Sequence, residues 1–451
     1  MVLISGREGP HPGDHLSKHM PPVSGGMVHM VKTERTALWE QRIIAAEVVR
    51  ARRHDREARR AGAGRQGRSV PSRVQETDDC SLYVLFPRRY SPPMDEIPRQ
   101  ALKGRGAISN LTSRYERETR VLADDGWGEN EALTETVPTQ VFDDTARSVL
   151  SKNTSPDVIF ERSVNPYRGC EHACIYCFAR PTHAYLGLSP GLDFETKIFR
   201  KARAAELLAA ELRAKSYRCQ PLALGANTDP YQPIEREQRI TRAVLEVCRD
   251  FNQPVMIITK SALVLRDLDI LAPMAAKGLV NVALSVTTLD RDLARRMEPR
   301  ASTPARRLAA MRELTAAGVP VAVLASPMIP GLSDHELEAI LTAAAEAGAT
   351  QANYILLRLP LEIADLFEEW LREHAPNRAD RVLSLIRQCR EGNLYQSQFG
   401  SRMKGSGPVA ELLSKRFKLA CRRLGLNARD AALNCADFKP PPARGDQLTM
   451  F

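Results

Sequence analysis

The stretch Asn165-Pro-Tyr-Arg-Gly-Cys-Glu-His-Ala-Cys-Ile-Tyr-Cys-Phe-Ala-Arg180 places Cys170, Cys174 and Cys177 in a C-x3-C-x2-C arrangement. Three thiolates on one short loop can each hold one iron of a [4Fe-4S] cube and leave the fourth iron without a protein ligand. Ferredoxin-type clusters need a fourth cysteine and usually begin with the tighter C-x2-C-x2-C spacing. The loop therefore indicates an iron–sulfur site with one open position, and the segments that flank it indicate the fold that presents it.

Two other uses of these cysteines have to be weighed. Zinc could be bound by the three cysteines together with His172 or His183, but structural zinc favours two paired motifs, and the sequence has no second pair. The remaining cysteines are scattered singly, at Cys80, Cys219, Cys248, Cys389, Cys421 and Cys435. A disulfide framework is disfavoured because the chain is long and lacks both regular cysteine spacing and an export signal. The cluster is the preferred interpretation, and zinc is the alternative.

Apolar strands alternate with amphipathic helices from about Asp157 onward. The predicted strands are Pro221–Gly225, Val255–Thr259, Val280–Val286, Val319–Ser326 and Ala352–Leu359. The predicted helices are Lys201–Lys215, Ile240–Phe251, Leu263–Lys277, Pro304–Ala317 and Asp334–Ala347. Such alternation argues for a parallel sheet with helices outside it. With a first strand around Ser163–Asn165, the pattern makes six units and predicts an α/β fold, a partial (β/α)6 TIM-type barrel.

Polar residues follow the predicted strands. Parallel barrels carry their chemistry on the loops after the strand C-termini. The cysteine loop follows the first strand, Gly225–Pro233 the second and Thr259–Ser261 the third, while the fourth strand contains Ser285 and the sixth bears Arg358. These polar groups are the candidates for ligand contacts at the mouth of the barrel.

Composition sets the broad class. The chain has 451 residues, of which 43% are hydrophobic and 26% charged, as in a soluble globular protein. No run reaches the roughly 18 apolar residues of a membrane span, and the N-terminus lacks the apolar segment of a signal peptide. We therefore expect a cytoplasmic protein with no membrane contact. The net charge of +10 is weak evidence for nucleic acid, because much of the excess lies in the first 75 residues.

Five motifs together resemble a bacterial group of radical S-adenosylmethionine (SAM) enzymes that is related to spore photoproduct lyase, which reverts a thymine dimer in DNA. The motifs are Asn165–Cys170, Cys177–His183, Asn227–Glu235, Ile258–Ser261 and Met297–Arg300, within a resemblance that runs from about Lys103 to the C-terminus. In that family the open iron chelates the amino and carboxylate groups of SAM. An electron from the reduced cluster then cleaves the S–C5′ bond and releases a 5′-deoxyadenosyl radical.

The resemblance also implies site residues. Thr228, Lys260 and Ser285 match the positions at which the lyase touches SAM, and Tyr176, just before the last cysteine, is a further expected cofactor contact. One departure matters, because the lyase carries a hydrogen-donating cysteine where this chain has Asn227. Cys219 is the candidate replacement, although a single cysteine at that point is more often part of the core. The resemblance thus supports the radical chemistry better than it supports the lyase's own substrate.

The C-terminus ends in an extended proline spacer and a short apolar peptide. The residues Gln447, Leu448, Met450 and Phe451 resemble the bacterial sliding-clamp-binding peptide, Gln-Leu-(Ser/Asp)-Leu-Phe. Polyproline stiffness holds such a peptide away from the body of a protein, which suits docking. The alternative is a tail that folds back and buries its apolar end.

The sequence therefore predicts five parts. They are a basic, mostly disordered extension (1–93), an N-terminal segment (94–156), the barrel (157–375), a helical extension (376–438) with helices at Arg378–Arg390 and Val409–Leu424, and a tail (439–451). Translation from Met94 would remove the first part, which can be a start-site artefact.

The predicted function is cleavage of SAM at a [4Fe-4S] cluster, with damaged or modified DNA or RNA as the substrate. The expected electron donor is of the flavodoxin or ferredoxin type. The alternatives are radical modification of a protein or small molecule, and a non-catalytic iron–sulfur or zinc redox sensor associated with the sliding clamp.

Overall fold

The computed structural model describes residues 102–116, 137–428 and 432–442. The strands in these residues are β1 (Gln140–Asp143), β2 (Leu150–Lys152), β3 (Arg162–Val164), β4 (Tyr167–Arg168), β5 (Lys197–Arg200), β6 (Leu222–Leu224), β7 (Val255–Thr259), β8 (Val280–Ser285), β9 (Val321–Met328) and β10 (Gln351–Leu356). The predicted N-terminal extension, the start at Met94 and the clamp-binding peptide lie outside the described residues.

The α-helices in the same residues connect the strands or follow the last of them. They are α1 (Leu192–Thr196), α2 (Ala204–Leu212), α3 (Glu235–Gln238), α4 (Ile240–Asp250), α5 (Leu268–Ala276), α6 (Arg291–Met297), α7 (Pro304–Ala316), α8 (Leu337–Glu346), α9 (Ile363–His374), α10 (Pro376–Gln388), α11 (Ser401–Lys404) and α12 (Gly407–Leu424). Short 3-10 helices lie at Arg180–Leu186, Ala262–Asp267 and Asp334–Glu336. None of the described helices is long and apolar enough to span a bilayer.

The main sheet has the order β10-β9-β8-β7-β6-β3-β2. In this sheet the strands β3, β6, β7, β8, β9 and β10 pair in parallel with their neighbours in chain order, and β2 pairs antiparallel with β3. Because the order is sequential and ends at two different edge strands, the sheet is singly wound and open. The predicted α/β fold with six units is therefore confirmed.

Local sequence explains the strands and helices. In β7 the side chains of Val255, Ile257 and Thr259 are buried, which is the alternation of a strand packed mainly on one face. The predicted helix Leu263–Lys277 begins as a 3-10 helix capped by Ser261, whose hydroxyl accepts a hydrogen bond from the Leu263 N–H (3.2 Å). The same reading missed the small second sheet, β1-β5-β4, which lies beside the cysteine loop.

Two segments close parts of the barrel: one spans its open side, and the other packs across its base. Asp157, in the loop between β2 and β3, accepts a hydrogen bond from the Gly400 N–H (2.7 Å) and pairs with Arg402 of α11, which packs on β10. At the base, residues 432–442 form a strap. In the strap, the Asn434 N–H donates to the Gly278 carbonyl (2.9 Å) and the Lys439 N–H to the Phe251 carbonyl (3.0 Å).

Candidate active site

A cavity of about 230 Å³ lies at the carboxyl ends of the parallel strands. Its wall combines the cysteine loop with the ends of β6 to β10, as expected for a parallel barrel. Polar and sulfur-bearing side chains line it, namely Cys170, His172, Cys174, Tyr176, Cys177, Asn227, Asp229, Thr259, Lys260, Ser285, Ser326, Arg358 and Met403. All three cysteines of the predicted cluster site therefore face one space, and all three are free thiols.

Arg180 fixes the end of the cysteine loop. Its Nε donates to the Cys174 carbonyl (2.9 Å), and its Nη1 donates to the carbonyls of Pro190 (3.1 Å) and Gly191 (3.0 Å). The guanidinium also forms a fully buried ion pair with Glu195 of α1. A buried pair of this kind with all its partners present holds one geometry, whereas removal of one member is costly. The loop is thus tied to α1 through a single side chain.

The motif Met297–Arg300 supports the loop from the other side. The Ile175 N–H donates to the Met297 carbonyl (3.1 Å), and the Tyr176 hydroxyl bonds to the Glu298 carboxylate. Glu298 in turn pairs with the buried guanidinium of Arg307. This chain of contacts orients the Tyr176 ring in the cavity wall.

The chemistry of the three thiols suits a cluster. Burial raises the pKa of Cys170, Cys174 and Cys177, so these sulfurs need a cation beside them to ionise. The Asp229 N–H points to the Cys170 sulfur and the Ala179 N–H to the Cys177 sulfur, which are contacts that tune cluster potentials. Among the described residues, no three His, Cys, Asp or Glu side chains converge on one ion-sized point. Three thiols that line one cavity can each ligate a different iron of an iron–sulfur cluster.

Asp229 and His172 form a buried pair beside Cys170. The His172 Nδ1 lies 3.2 Å from the Asp229 Oδ2, and Asp229 also accepts hydrogen bonds from the Thr259 hydroxyl (2.7 Å) and the Lys260 N–H (2.8 Å). Burial acts to raise the pKa of Asp229, but His172 and these hydrogen bonds outweigh it and hold the pKa at about 2. Asp229 is thus a carboxylate that links β7 to the cysteine loop.

The predicted SAM contacts are divided by the structure. Lys260, Ser285 and Tyr176 line the cavity, and the Lys260 ammonium lies 5.8 Å from the centre of the Tyr176 ring. Thr228 is buried behind the wall, where its hydroxyl donates to the Tyr167 carbonyl (2.7 Å), and the neighbouring Asn227 faces the cavity instead. Three of the four predicted contacts are therefore brought together with the cysteines.

Two other residues singled out by sequence lie away from the cavity. Cys219 precedes β6, at the opposite end of the strands, and its thiol contacts Gln253 (3.8 Å) and Cys435 of the strap. The structure therefore does not place Cys219 where a hydrogen donor is needed. His183 is fully buried and its Nε2 donates to the Lys197 carbonyl (2.9 Å), so it is not grouped with the three cysteines.

Several cavity residues were missed by sequence reasoning. They are Asp229, Phe178 and Met403, whereas His172 was considered only as a zinc ligand and Arg358 was noted only as a polar residue on the sixth strand. For Asp229 a usable signal existed, because it lies in the polar loop Gly225–Pro233 that follows β6. For Met403 there was none, because α11 reaches the cavity only through the fold.

The chain is similar to one sequence family and to several known proteins. The sequence profile of the radical SAM superfamily matches residues 164–344. An uncharacterised protein of Mycobacterium tuberculosis is 39% identical over 244 residues, which make up 53% of this chain and 72% of the relative. An uncharacterised protein of Methanocaldococcus jannaschii is 28% identical over 174 residues, or 38% of this chain and 62% of the relative. Spore photoproduct lyase complexed with dinucleoside spore photoproduct aligns with a TM-score of 0.46 and 15% identity, over 63% of this chain and 80% of that chain.

The matched segment contains the cysteine loop and most of the cavity wall. The M. tuberculosis relative is 39% identical to this chain, and the match covers 72% of that relative. Three free thiols on the loop after the first parallel strand, a cationic side chain opposite them and this sequence match have one common reading: the chain belongs to the radical SAM superfamily.

Proposed function

We propose that this protein cleaves SAM reductively at a [4Fe-4S] cluster held by Cys170, Cys174 and Cys177, and that its substrate is damaged or modified nucleic acid. A cluster held by these cysteines would supply one electron to SAM, whose S–C5′ bond would then cleave to give methionine and a 5′-deoxyadenosyl radical. The observation that carries the proposal is the grouping of three free thiols and Lys260 around one cavity.

The chain's own residues have distinct roles in this proposal. Lys260 offers a cation to a carboxylate, and within the described residues its ammonium makes neither a hydrogen bond nor an ion pair. Ser285 and Asn227 offer polar groups to the amine and the ribose, and Tyr176 offers a ring face held in place by Glu298. Burial raises the pKa of Cys174, and Lys260 acts against that rise, so the same cation assists ligand ionisation.

The decisive experiment is an anaerobic assay of 5′-deoxyadenosine after reconstitution with iron and sulfide and reduction with dithionite. We expect product from the wild type and none from Cys174→Ala, which also loses iron. Cys248→Ala is the matched control, because Cys248 is a buried free thiol on α4, away from the cavity. An intact cluster that gives no 5′-deoxyadenosine, with or without nucleic acid, would favour the redox-sensor alternative.

The nucleic-acid part rests on the five motifs shared with the group related to spore photoproduct lyase. Its test is the same assay with UV-irradiated and unirradiated DNA, followed by mass spectrometry of the digested nucleosides. We expect irradiation-dependent consumption of a base lesion. Equal 5′-deoxyadenosine with both DNAs and no altered nucleoside would leave the chemistry in place and remove this substrate.

We also propose that Gln447, Leu448, Met450 and Phe451 dock on the bacterial sliding clamp. The support is the sequence pattern alone, since these residues lie outside the described part of the chain. Fluorescence anisotropy of a labelled peptide with a purified clamp tests it, with a Phe451→Ala peptide as control. Absence of binding at high micromolar clamp concentration contradicts the proposal.

A further inference from the structure

One end of the cavity carries a guanidinium with unused donors. Arg358, just beyond β10, lines the cavity; its Nε is buried and makes no hydrogen bond to any described residue. Its Nη1 donates only to the Met403 thioether (3.4 Å), which is a weak acceptor. Buried donors without partners are uncommon in native proteins and call for an explanation, such as a bound ligand.

Among the described residues, Arg358 forms no ion pair with a carboxylate, and a second cation lies close to it. Arg390 lies behind it, fully buried, and donates to the carbonyls of Leu356, Leu357, Ser401 and Arg402 rather than to a carboxylate. Burial, and then the like charge of Arg358, lower the pKa of Arg390 to about 10. Asp157 interacts electrostatically with Arg358, but its two carboxylate oxygens accept a hydrogen bond from the Gly400 N–H and pair with Arg402.

A flat apolar surface adjoins this charge. Phe178, the residue after Cys177, is 45% exposed and lines the cavity, and the Arg358 guanidinium lies 5.5 Å from the centre of its ring. A base can stack on such a ring while a phosphate pairs with the adjacent guanidinium, which is how proteins commonly hold unpaired nucleotides. The expected cofactor contacts lie elsewhere along the sheet: Lys260 follows β7 and Ser285 ends β8, and β9 separates both from β10 and Arg358.

We infer that Arg358 and Phe178 form an oxyanion subsite that takes a phosphate of the substrate nucleotide, with the adjoining base on the Phe178 ring. The inference rests on the proposed function, because it assigns a residue pair to the nucleic-acid substrate. The chemistry recognised is an oxyanion beside an aromatic ring. The carboxylate of SAM shares the first part of that chemistry, so the test has to separate the two sources.

The test uses the full chain with its cluster reconstituted and a fluorescein-labelled ten-nucleotide thymidine oligonucleotide, followed by anisotropy. We expect Arg358→Gln to weaken oligonucleotide binding at least about tenfold, in line with loss of a charge-assisted contact. SAM affinity by equilibrium dialysis and the cluster absorbance should stay unchanged. Arg372→Gln is the matched control, because Arg372 is an exposed arginine of α9 paired with Glu368.

A methylphosphonate-linked oligonucleotide adds a second measurement that does not depend on the variant's folding. Wild type should bind this uncharged backbone at least about tenfold more weakly than the natural one, because every phosphate contact, including that of Arg358, is lost. Unchanged oligonucleotide affinity in Arg358→Gln overturns the inference while the proposed function stands. A fall in SAM affinity instead assigns the guanidinium to the cofactor and also overturns it. No binding by the wild type overturns it together with the nucleic-acid substrate, and leaves SAM cleavage to be judged by 5′-deoxyadenosine alone.

Discussion

Single buried side chains set how this protein responds to pH. His183 has no exposed surface, packs edge-on against the ring of Phe194 (5.1 Å between centres) and donates to the Lys197 carbonyl. Burial lowers its pKa from 6.5 to about 4. The unfolded chain therefore takes up this proton first as the pH falls, and protonation favours unfolding between about pH 6.5 and 4.

We expect His183→Gln to flatten the fall in stability over that window. The folded pKa is depressed, so the contribution of neutral His183 is fully present above pH 6.5 and is lost as the pH falls toward 4. At about 1.4 kcal/mol per pKa unit, the wild-type loss from this residue is on the order of 3 kcal/mol. Urea unfolding of the apoprotein at pH 7 and pH 4.5 measures it. His335→Gln, at an exposed histidine, should keep the wild-type slope; equal slopes in all three proteins would contradict the assignment.

Contacts between neighbouring strands and loops fix the shape of the cavity wall. Gly225, which follows β6 and lines the cavity, has φ +87°, and a Cβ there would lie 2.2 Å from the Ile258 carbonyl of β7. Glycine is needed at this point for two reasons, its backbone conformation and the close approach of the next strand.

A matched pair of variants separates these two reasons. Gly318→Ala has a similar φ (+77°) and no heavy atom within 4 Å of the added Cβ, so it should cost only the conformational penalty of about 1–2 kcal/mol. Gly225→Ala should lower the melting temperature further, because β7 has to move. Differential scanning calorimetry of both apoproteins compares them. Equal melting temperatures would mean that the wall yields without cost.

Across the protein, the cysteine loop depends on a segment far from it in sequence. The Gly106 and Ala107 N–H groups donate to the Glu195 carboxylate (3.0 and 2.8 Å), which pairs with Arg180. Ala107 and Ile108 are buried in the same apolar cluster as Cys174 and Ile175. Residues 102–116 thus support the cysteine loop from outside.

We expect a chain that starts at Met94 to retain its stability and iron content, and a chain that starts at Ser113 to lose both. The shorter chain leaves the buried Glu195 without two N–H donors, at about 1–3 kcal/mol for each unmet partner. Thermal melting and iron per chain after reconstitution are the readouts. Equal iron content in the two chains would show that the loop holds its geometry unaided.

The fold was largely predictable because its signals are local. Val255–Thr259 was predicted with the observed bounds, since alternating apolar residues between turn residues define a strand. The cysteines were found by spacing alone. Thr228 shows the limit, because its hydroxyl is taken by the Tyr167 carbonyl 61 residues away, and so Asn227 faces the cavity. Cys219 shows another limit, because strand direction places it beside Cys435 at the base of the barrel.

The strap of residues 432–442 determines which end of the barrel a partner at the C-terminus would approach. Its contacts with Phe251 and Gly278, and that of Pro441 with Arg213 (2.5 Å), all lie where the strands begin, on the side opposite the cavity. A partner that bound the chain just after this strap would therefore attach to the end of the barrel opposite the cavity. The mouth of the cavity would then face away from the anchored end of the protein.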